Sequence, residues 1–128
     1  MKYMLLICGE DDPATVEERE PLDVEPWLEE MQRRGIRLQG DRLRPPGDAT
    51  TVRVRDGELL TSDGPYAETK EWMGGYDIID CENLDEAIEV AAKHPVAALG
   101  MIEIRPFWPL DSSAAPSAGL SSDQAVSY

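Results

Sequence analysis

The chain has 128 residues, of which 41% are hydrophobic and 30% charged, a size and composition typical of one folded domain. Its 26 acidic and 12 basic residues give a formal net charge of -14, and such a field repels nucleic acid and anionic membrane surfaces. No apolar run approaches the roughly 20 residues that cross a bilayer. The composition therefore predicts a cytoplasmic protein with neither a nucleic-acid nor a membrane partner.

The first third of the chain predicts a strand, a helix and a second strand. Residues 2–8 are apolar at nearly every position, which is typical of a strand covered on both faces or covered by a partner subunit. Residues 9–23 are acidic and interrupted by prolines, which favours a loop. Pro26 suits the first turn of a helix, and Gly35 is placed to end that helix in the left-handed conformation. Strand spacing follows over residues 36–39.

The middle of the chain predicts a β-hairpin. Residues 51–55 alternate valine with arginine, and residues 58–61 provide a returning strand. Asp56-Gly57 between them favours a type I′ turn, in which both central residues have positive φ. The two arginines share one face. That face is either solvated and paired with nearby acids or an anion-binding wall.

The last third predicts a strand, a capped helix and a final strand. Residues 76–81 have strand character. Asn83 followed by Glu86 forms a capping-box pattern at the start of a helix. The apolar stripe predicted for this helix consists of Leu84, Ala87, Ile88, Ala91 and Ala92. Pro95 stops this helix, and residues 101–105 alternate again as a strand.

This order of elements predicts an α+β fold, a ferredoxin-like split βαβ sandwich with an inserted β-hairpin. Helices cover one sheet face, and the apolar first strand predicts that the other face packs against a second copy in a homodimer. The first strand and the strand 76–81 are expected to be parallel neighbours, which places Cys8 and Cys81 at one sheet edge as buried thiols, with a redox pair as the less favoured reading. Residues 1–106 form the predicted domain and 107–128 a flexible tail.

The segment SDGPYAETKEWMGGYDIID, residues 62–80, carries more charge than a turn needs. Asp63 before Gly64 either makes an Asx-turn or acts as a general base or ligand-orienting carboxylate. Lys70 either makes a surface ion pair with nearby acids or holds an anionic or carbonyl ligand. The glycines at 74 and 75 predict a bulge or a close backbone approach. The candidate catalytic residues are Asp63 and Lys70, and the candidate ligand-binding residues are Tyr66, Glu68, Thr69, Glu71 and Tyr76.

This segment resembles the DGPF motif of the YCII-related family, with Tyr66 in place of the usual phenylalanine. MKYMLLI, TTVRVRDGELLTSDGPY, LDEAIEVAAKHP and IEIRP extend the similarity over roughly residues 1–106. The resemblance implies a ferredoxin-like fold, a dimeric α/β barrel-like assembly with facing sheets and a cleft, and no established reaction. It also implies an association, by gene context of the DGPF members, with extracytoplasmic-function sigma factors. Some relatives are proposed to use a His-Asp pair. Asp63 matches the aspartate, but the first helix has no histidine.

The residues and the resemblance together leave three interpretations of function open. The first is a small-molecule-binding protein with its cleft at the dimer seam, with acid-base enzymatic activity as a further step. The second is a regulatory module that binds a basic protein surface through the acidic residues 10–25 or senses a ligand for a transcription system. The third is a dimeric scaffold without chemistry. The single histidine, His94, is expected to complement the negative end of its helix. No cofactor or metal site is predicted, since the chain lacks His-x-x-x-His and Cys-x-x-Cys spacing.

Overall fold

The computed structural model describes residues 1–9, 22–65 and 72–109. Within these residues the predicted order of strands, helices and hairpin is confirmed, and none of the described helices is long and apolar enough to cross a membrane. The predicted tail falls almost entirely outside the described residues, so its boundary stays a prediction. The elements are β1 (Lys2–Gly9), α1 (Glu25–Arg33), β2 (Arg37–Arg42), β3 (Thr50–Arg55), β4 (Glu58–Asp63), β5 (Trp72–Asp80), α2 (Leu84–Ala92) and β6 (Met101–Pro106).

Four strands form one sheet in the order β2-β5-β1-β6, and β3 pairs only with β4 in a separate two-stranded sheet. Every neighbouring pair of strands is antiparallel. This α+β arrangement is compatible with the predicted ferredoxin-like sandwich, in which each crossover helix joins two strands that are not neighbours. The strand that lies between those two strands in the sheet is antiparallel to both of them.

The expectation that β1 and β5 are parallel neighbours is therefore wrong. The two strands are antiparallel, with Lys2 opposite Asp80 and Cys8 opposite Met73. Cys81 donates its backbone N–H to the carbonyl of Met1, so the two cysteines lie at opposite ends of the sheet. More than about 20 Å of strand separates them. A redox pair between them is excluded, and neither cysteine forms a disulfide.

The core lies between one face of the sheet and the two helices. Leu5 in the central strand is fully buried, and its neighbour on β6, Ile104, packs against the same cluster. Trp27 donates its indole N–H to the carbonyl oxygen of Val90 at 2.9 Å, which ties α1 to the end of α2. The fully or nearly fully buried apolar side chains are Tyr3, Leu5, Trp27, Met31, Ile36, Ile79, Cys81, Ala87, Val90 and Ala91.

The helix ends and the hairpin turn adopt the backbone conformations that their residue types predict. Gly35 ends α1 at φ 70°, and Asp56 and Gly57 both have positive φ, 52° and 79°, as a type I′ turn requires. The Asn83 side chain accepts the N–H of Glu86 at 2.9 Å and caps α2. The return bond of the capping box is shifted by one residue, because the Glu86 carboxylate accepts from the N–H of Glu82.

Two expectations about the second helix are corrected. Leu84, Ile88 and Ala92, placed in the apolar stripe, are exposed, and Val90 is fully buried instead. His94 is buried and does not lie free at the end of α2. Its Nδ1 accepts the N–H of Val96 at 3.0 Å and caps the following 3-10 turn. Burial lowers the pKa of His94, which disfavours the cation that a helix-dipole role requires.

Candidate functional site

Asp63, the first catalytic candidate, is exposed at the base of the β3–β4 hairpin. The turn after it is built by Gly64, whose φ is 92° and whose N–H donates to the carbonyl of Ala49 at 2.7 Å. Thr51 donates its hydroxyl to the Gly64 carbonyl at 2.8 Å. The positive φ of Gly64 thus has a structural role in this turn, and within the described residues the carboxylate of Asp63 is left open to a ligand or a partner.

Five of the seven candidate residues fall outside the described part of the chain. The structure therefore does not test whether they meet Asp63 or Tyr76, and their roles stay predictions. These residues are Tyr66, Glu68, Thr69, Lys70 and Glu71.

Tyr76 is described, and it lies at the centre of a polar cluster that the sequence did not reveal. Its hydroxyl donates to Asp41 Oδ2 at 3.2 Å and accepts from Gln39 Nε2 at 3.0 Å. Both partners lie on the neighbouring strand β2, with Asp41 directly opposite Tyr76. These bonds occupy the phenolic proton and one of the two lone pairs. The second lone pair and the remaining carboxylate oxygen can still accept from a ligand.

The cluster borders an apolar surface on the side of the sheet away from the helices. Leu6 lies opposite Tyr76, and Met4 lies opposite Ile78, so these side chains share one face. None of Met4, Leu6 and Ile78 belongs to the helix-side core, although each is partly buried by its neighbours. We call this side of the sheet, which bears Met4, Leu6, Tyr76 and Ile78, the helix-free face. Its β6 border carries the ion pair of Glu103 and Arg105.

Gly74 and Gly75 let β5 approach its neighbours at this end of the sheet, as predicted. The register between β1 and β5 shifts after Ile7, which marks a bulge. A Cβ on Gly75 would lie 3.0 Å from the carbonyl oxygen of Asp41. Gly75 therefore permits the close contact of β5 with β2 that holds Tyr76 beside Asp41.

The opposite, helix-side face holds a buried ion pair that sequence reasoning missed. Arg37 Nε donates to Asp77 Oδ1 at 2.8 Å, and the two side chains are only 17% and 9% exposed. Burial raises the pKa of Asp77, and the Arg37 guanidinium opposes that rise. The two-residue period of a strand places Asp77 on the same face as the apolar Ile79, which is a sequence signal for a buried acid. The sequence did not indicate which strand carries the basic partner of this acid.

An open depression of about 520 Å³ lies at the other end of the sheet, where β5 meets α2. Its lining includes Arg34, Asp80, Cys81 and Glu86. Burial and the nearby Glu86 carboxylate raise the pKa of the Cys81 thiol to about 11, so the thiol stays protonated at neutral pH. The depression therefore lacks a reactive thiolate, and the Tyr76 cluster is the better candidate site.

The fold and this cluster define the chain as an α+β protein with one antiparallel four-stranded sheet, helices on one side and a polar-edged apolar face on the other. The YCII-related domain model matches residues 1–111, so the chain belongs to the YCII-related family. Uncharacterized protein R00369 of Rhizobium meliloti (strain 1021) is 45% identical over 68 residues, which are 52% of this chain and 55% of that protein. The match thus spans about half the length of that relative.

Proposed function

We propose that the chain, as a DGPF-type member of the YCII-related family, binds a small molecule on the helix-free face in a hollow that a second copy closes. The observation that carries this proposal is the Tyr76 hydroxyl, held between Gln39 and Asp41 beside apolar side chains. An apolar surface with a few oriented polar groups is the usual composition of a small-molecule site. The protein acts in the cytoplasm.

The chemistry of the cluster indicates the class of ligand. Asp41 offers carboxylate oxygens, and the Tyr76 oxygen keeps one free lone pair, so the cluster accepts hydrogen bonds from a ligand. Leu6 and Ile78 offer apolar contact next to it. The ligand that fits is a small molecule with an apolar body and at least one hydrogen-bond donor. Asp63 and Lys70 supply acid-base chemistry if a reaction follows binding.

A thermal-shift screen of the purified protein against a metabolite library tests the proposal. Tyr76→Phe and Asp41→Asn are expected to keep the fold and to lose the ligand-induced rise in Tm. Tyr3→Phe is the matched control, because it removes a hydroxyl from a tyrosine on the helix side of the same sheet. Equal ligand shifts in all three variants would place the binding site elsewhere. Loss of the shift in Asp63→Ala would add Asp63 to the site.

The alternative proposal is a regulatory module linked to an extracytoplasmic-function sigma factor system. It is supported by the acid excess of the chain, which suits a basic protein surface. Most of the acidic stretch 10–25 lies outside the described residues. Neutralising Glu17, Glu18 and Glu20 together is expected to weaken a salt-sensitive pull-down of the partner and to leave ligand shifts unchanged.

A further inference from the structure

The β3–β4 hairpin stands apart from the rest of the described structure. It forms a two-stranded sheet of its own, and every residue from 52 to 63 is exposed. The Gly64 N–H bond to the Ala49 carbonyl and the Thr51 hydroxyl bond to the Gly64 carbonyl close the base of the hairpin. A two-stranded hairpin alone is at best marginally stable in water, and it needs a third strand or a packed face for stability. Among the described residues, the hairpin thus lacks the packing that its strands require.

The register of the hairpin places three of its four large apolar side chains on one face, with Leu60 on the other. Val54 lies opposite Leu59, and Val52 lies opposite Thr61, so the two valines and Leu59 point the same way. They are 60%, 60% and 68% exposed. We call Val52, Val54 and Leu59 the arm face. Asp63 pairs with Thr50 and lies on this same side of the hairpin.

The helix-free face is too small to hold two copies together without further contacts. Four strands about 4.8 Å apart and about 20 Å long give a footprint of roughly 400 Å². A stable and specific dimer generally covers about 800 Å² on each partner. The hairpin, six residues long on each side, offers further exposed apolar side chains outside this face.

The charge distribution favours a second copy as the occupant of the arm face. Two chains of formal net charge -14 repel each other, so they can meet only where the surface is nearly neutral. The arm face has no charged member, and Asp63 is the single charge on its side of the hairpin. The centre of the helix-free face, with Met4, Leu6 and Ile78, is also uncharged. The arm face of one copy and the centre of the helix-free face of another can therefore meet without charge repulsion.

We infer that the hairpin is an arm that packs Val52, Val54 and Leu59 against the margin of the helix-free face of a second copy and carries Asp63 into the seam. This inference rests on the proposed function, because it names what closes the proposed hollow. Each site is then composite. One protomer supplies Tyr76 and Asp41, and the arm of its partner supplies Asp63.

Site-directed photocross-linking of the purified protein tests the inference. Val54→p-benzoylphenylalanine is expected to give a covalent dimer on irradiation, with the cross-linked peptide mapping to the strands of the helix-free face of the other copy. Arg53→p-benzoylphenylalanine is the matched control, because Arg53 is its sequence neighbour on the opposite side of the hairpin. It is expected to give at least fivefold less dimer. Equal yields, or a cross-link to the helix side, would overturn the inference.

Charge insertion provides the second measurement. Val54→Lys and Leu59→Lys are expected to weaken the dimer at least tenfold in sedimentation velocity, whereas Leu60→Lys on the opposite face leaves it unchanged. All three positions are exposed in the protomer, so the variants fold, which circular dichroism verifies. A dimer unaffected by arm-face lysines overturns the arm, and ligand shifts that persist in such a dimer leave the proposed function intact. A wild-type monomer overturns the arm and also the closure of the hollow by a second copy. A cross-linked arm without ligand shifts removes the proposed function alone.

Discussion

Arg37 on the edge strand β2 donates its Nε–H to Asp77 on β5 at 2.8 Å, inside the helix-covered side of the sheet. The guanidinium also donates to the Gly40 carbonyl at 3.0 Å. Asp77 can occupy this place because Gly40, directly opposite it, has no side chain. One glycine, one acid and one base therefore form a single packing unit between two strands.

Breaking this ion pair from one side is expected to destabilise the protein strongly. Arg37→Leu leaves a mostly buried carboxylate without its partner, which costs about 3 kcal/mol of unfolding free energy. The double variant Arg37→Leu with Asp77→Leu is expected to lie much closer to wild type, because no buried charge remains. Urea denaturation of both single variants and the double variant measures the coupling. Additive single effects would contradict a direct interaction.

The cost of losing Arg37 is expected to depend on pH. Burial already raises the pKa of Asp77, and Arg37 is the group that lowers it, so Arg37→Leu raises it further. The folded variant then holds a proton that the unfolded chain releases above about pH 4. Its stability relative to wild type therefore falls as the pH rises from 4 to 7. Urea midpoints at both pH values measure this, and Asp77→Asn with Arg37→Leu should remove the difference.

Gly40→Ala is expected to disrupt the same unit by overlap. A Cβ at this position would clash with Asp77 Oδ1 and lie 2.7 Å from the backbone carbonyl of Tyr76, which cannot move aside without shifting β5. Overpacking of this kind costs about 1–3 kcal/mol. Gly47→Ala is the control, because nothing lies within 4 Å of its Cβ position. Thermal denaturation of the two variants should separate them clearly, and equal Tm values would refute the overlap.

His94 is expected to make the protein less stable as the pH falls. Burial lowers its pKa in the folded state, so the unfolded chain binds the proton first as the pH drops below about 6.5. Stability is fully present above that value and is lost as the pH falls through the folded pKa. His94→Asn retains a side-chain acceptor for the Val96 N–H and removes the titration. Wild type and variant with parallel stability curves between pH 7.5 and 5 would argue against this role.

The two cysteines are expected to react at very different rates. Cys81 is 3% exposed, and its pKa is raised to about 11, so it resists alkylation in the folded protein. Cys8 is partly exposed and is expected to react first. Mass spectrometry after brief iodoacetamide treatment should show one modified site, at Cys8, and two after denaturation. A Cys8–Cys81 disulfide in the native protein would contradict the antiparallel pairing of β1 and β5.

The sequence alone was sufficient for elements that depend on neighbouring residues. Gly35, Asp56-Gly57 and Asn83 marked a helix end, a hairpin turn and a helix start, because each depends on the backbone preference or hydrogen bonding of a few adjacent residues. The resemblance to the YCII-related family likewise followed from short sequence segments. The family match over residues 1–111 confirms membership in the YCII-related family.

Only the tertiary structure showed the strand directions and the pairs that follow from them. Arg37 and Asp77 lie 40 positions apart in the sequence, and Gln39 and Tyr76 lie 37 apart. Both contacts depend on β2 pairing with β5 in one particular register. The alternation of β5 puts Asp77 on the same face as Ile79, but this local pattern identifies no partner for it. The sequence likewise did not contain the relative direction of β1 and β5, which were expected to be parallel and are antiparallel. Strand pairing depends on long-range packing of the whole chain, and no local pattern of residues contains it.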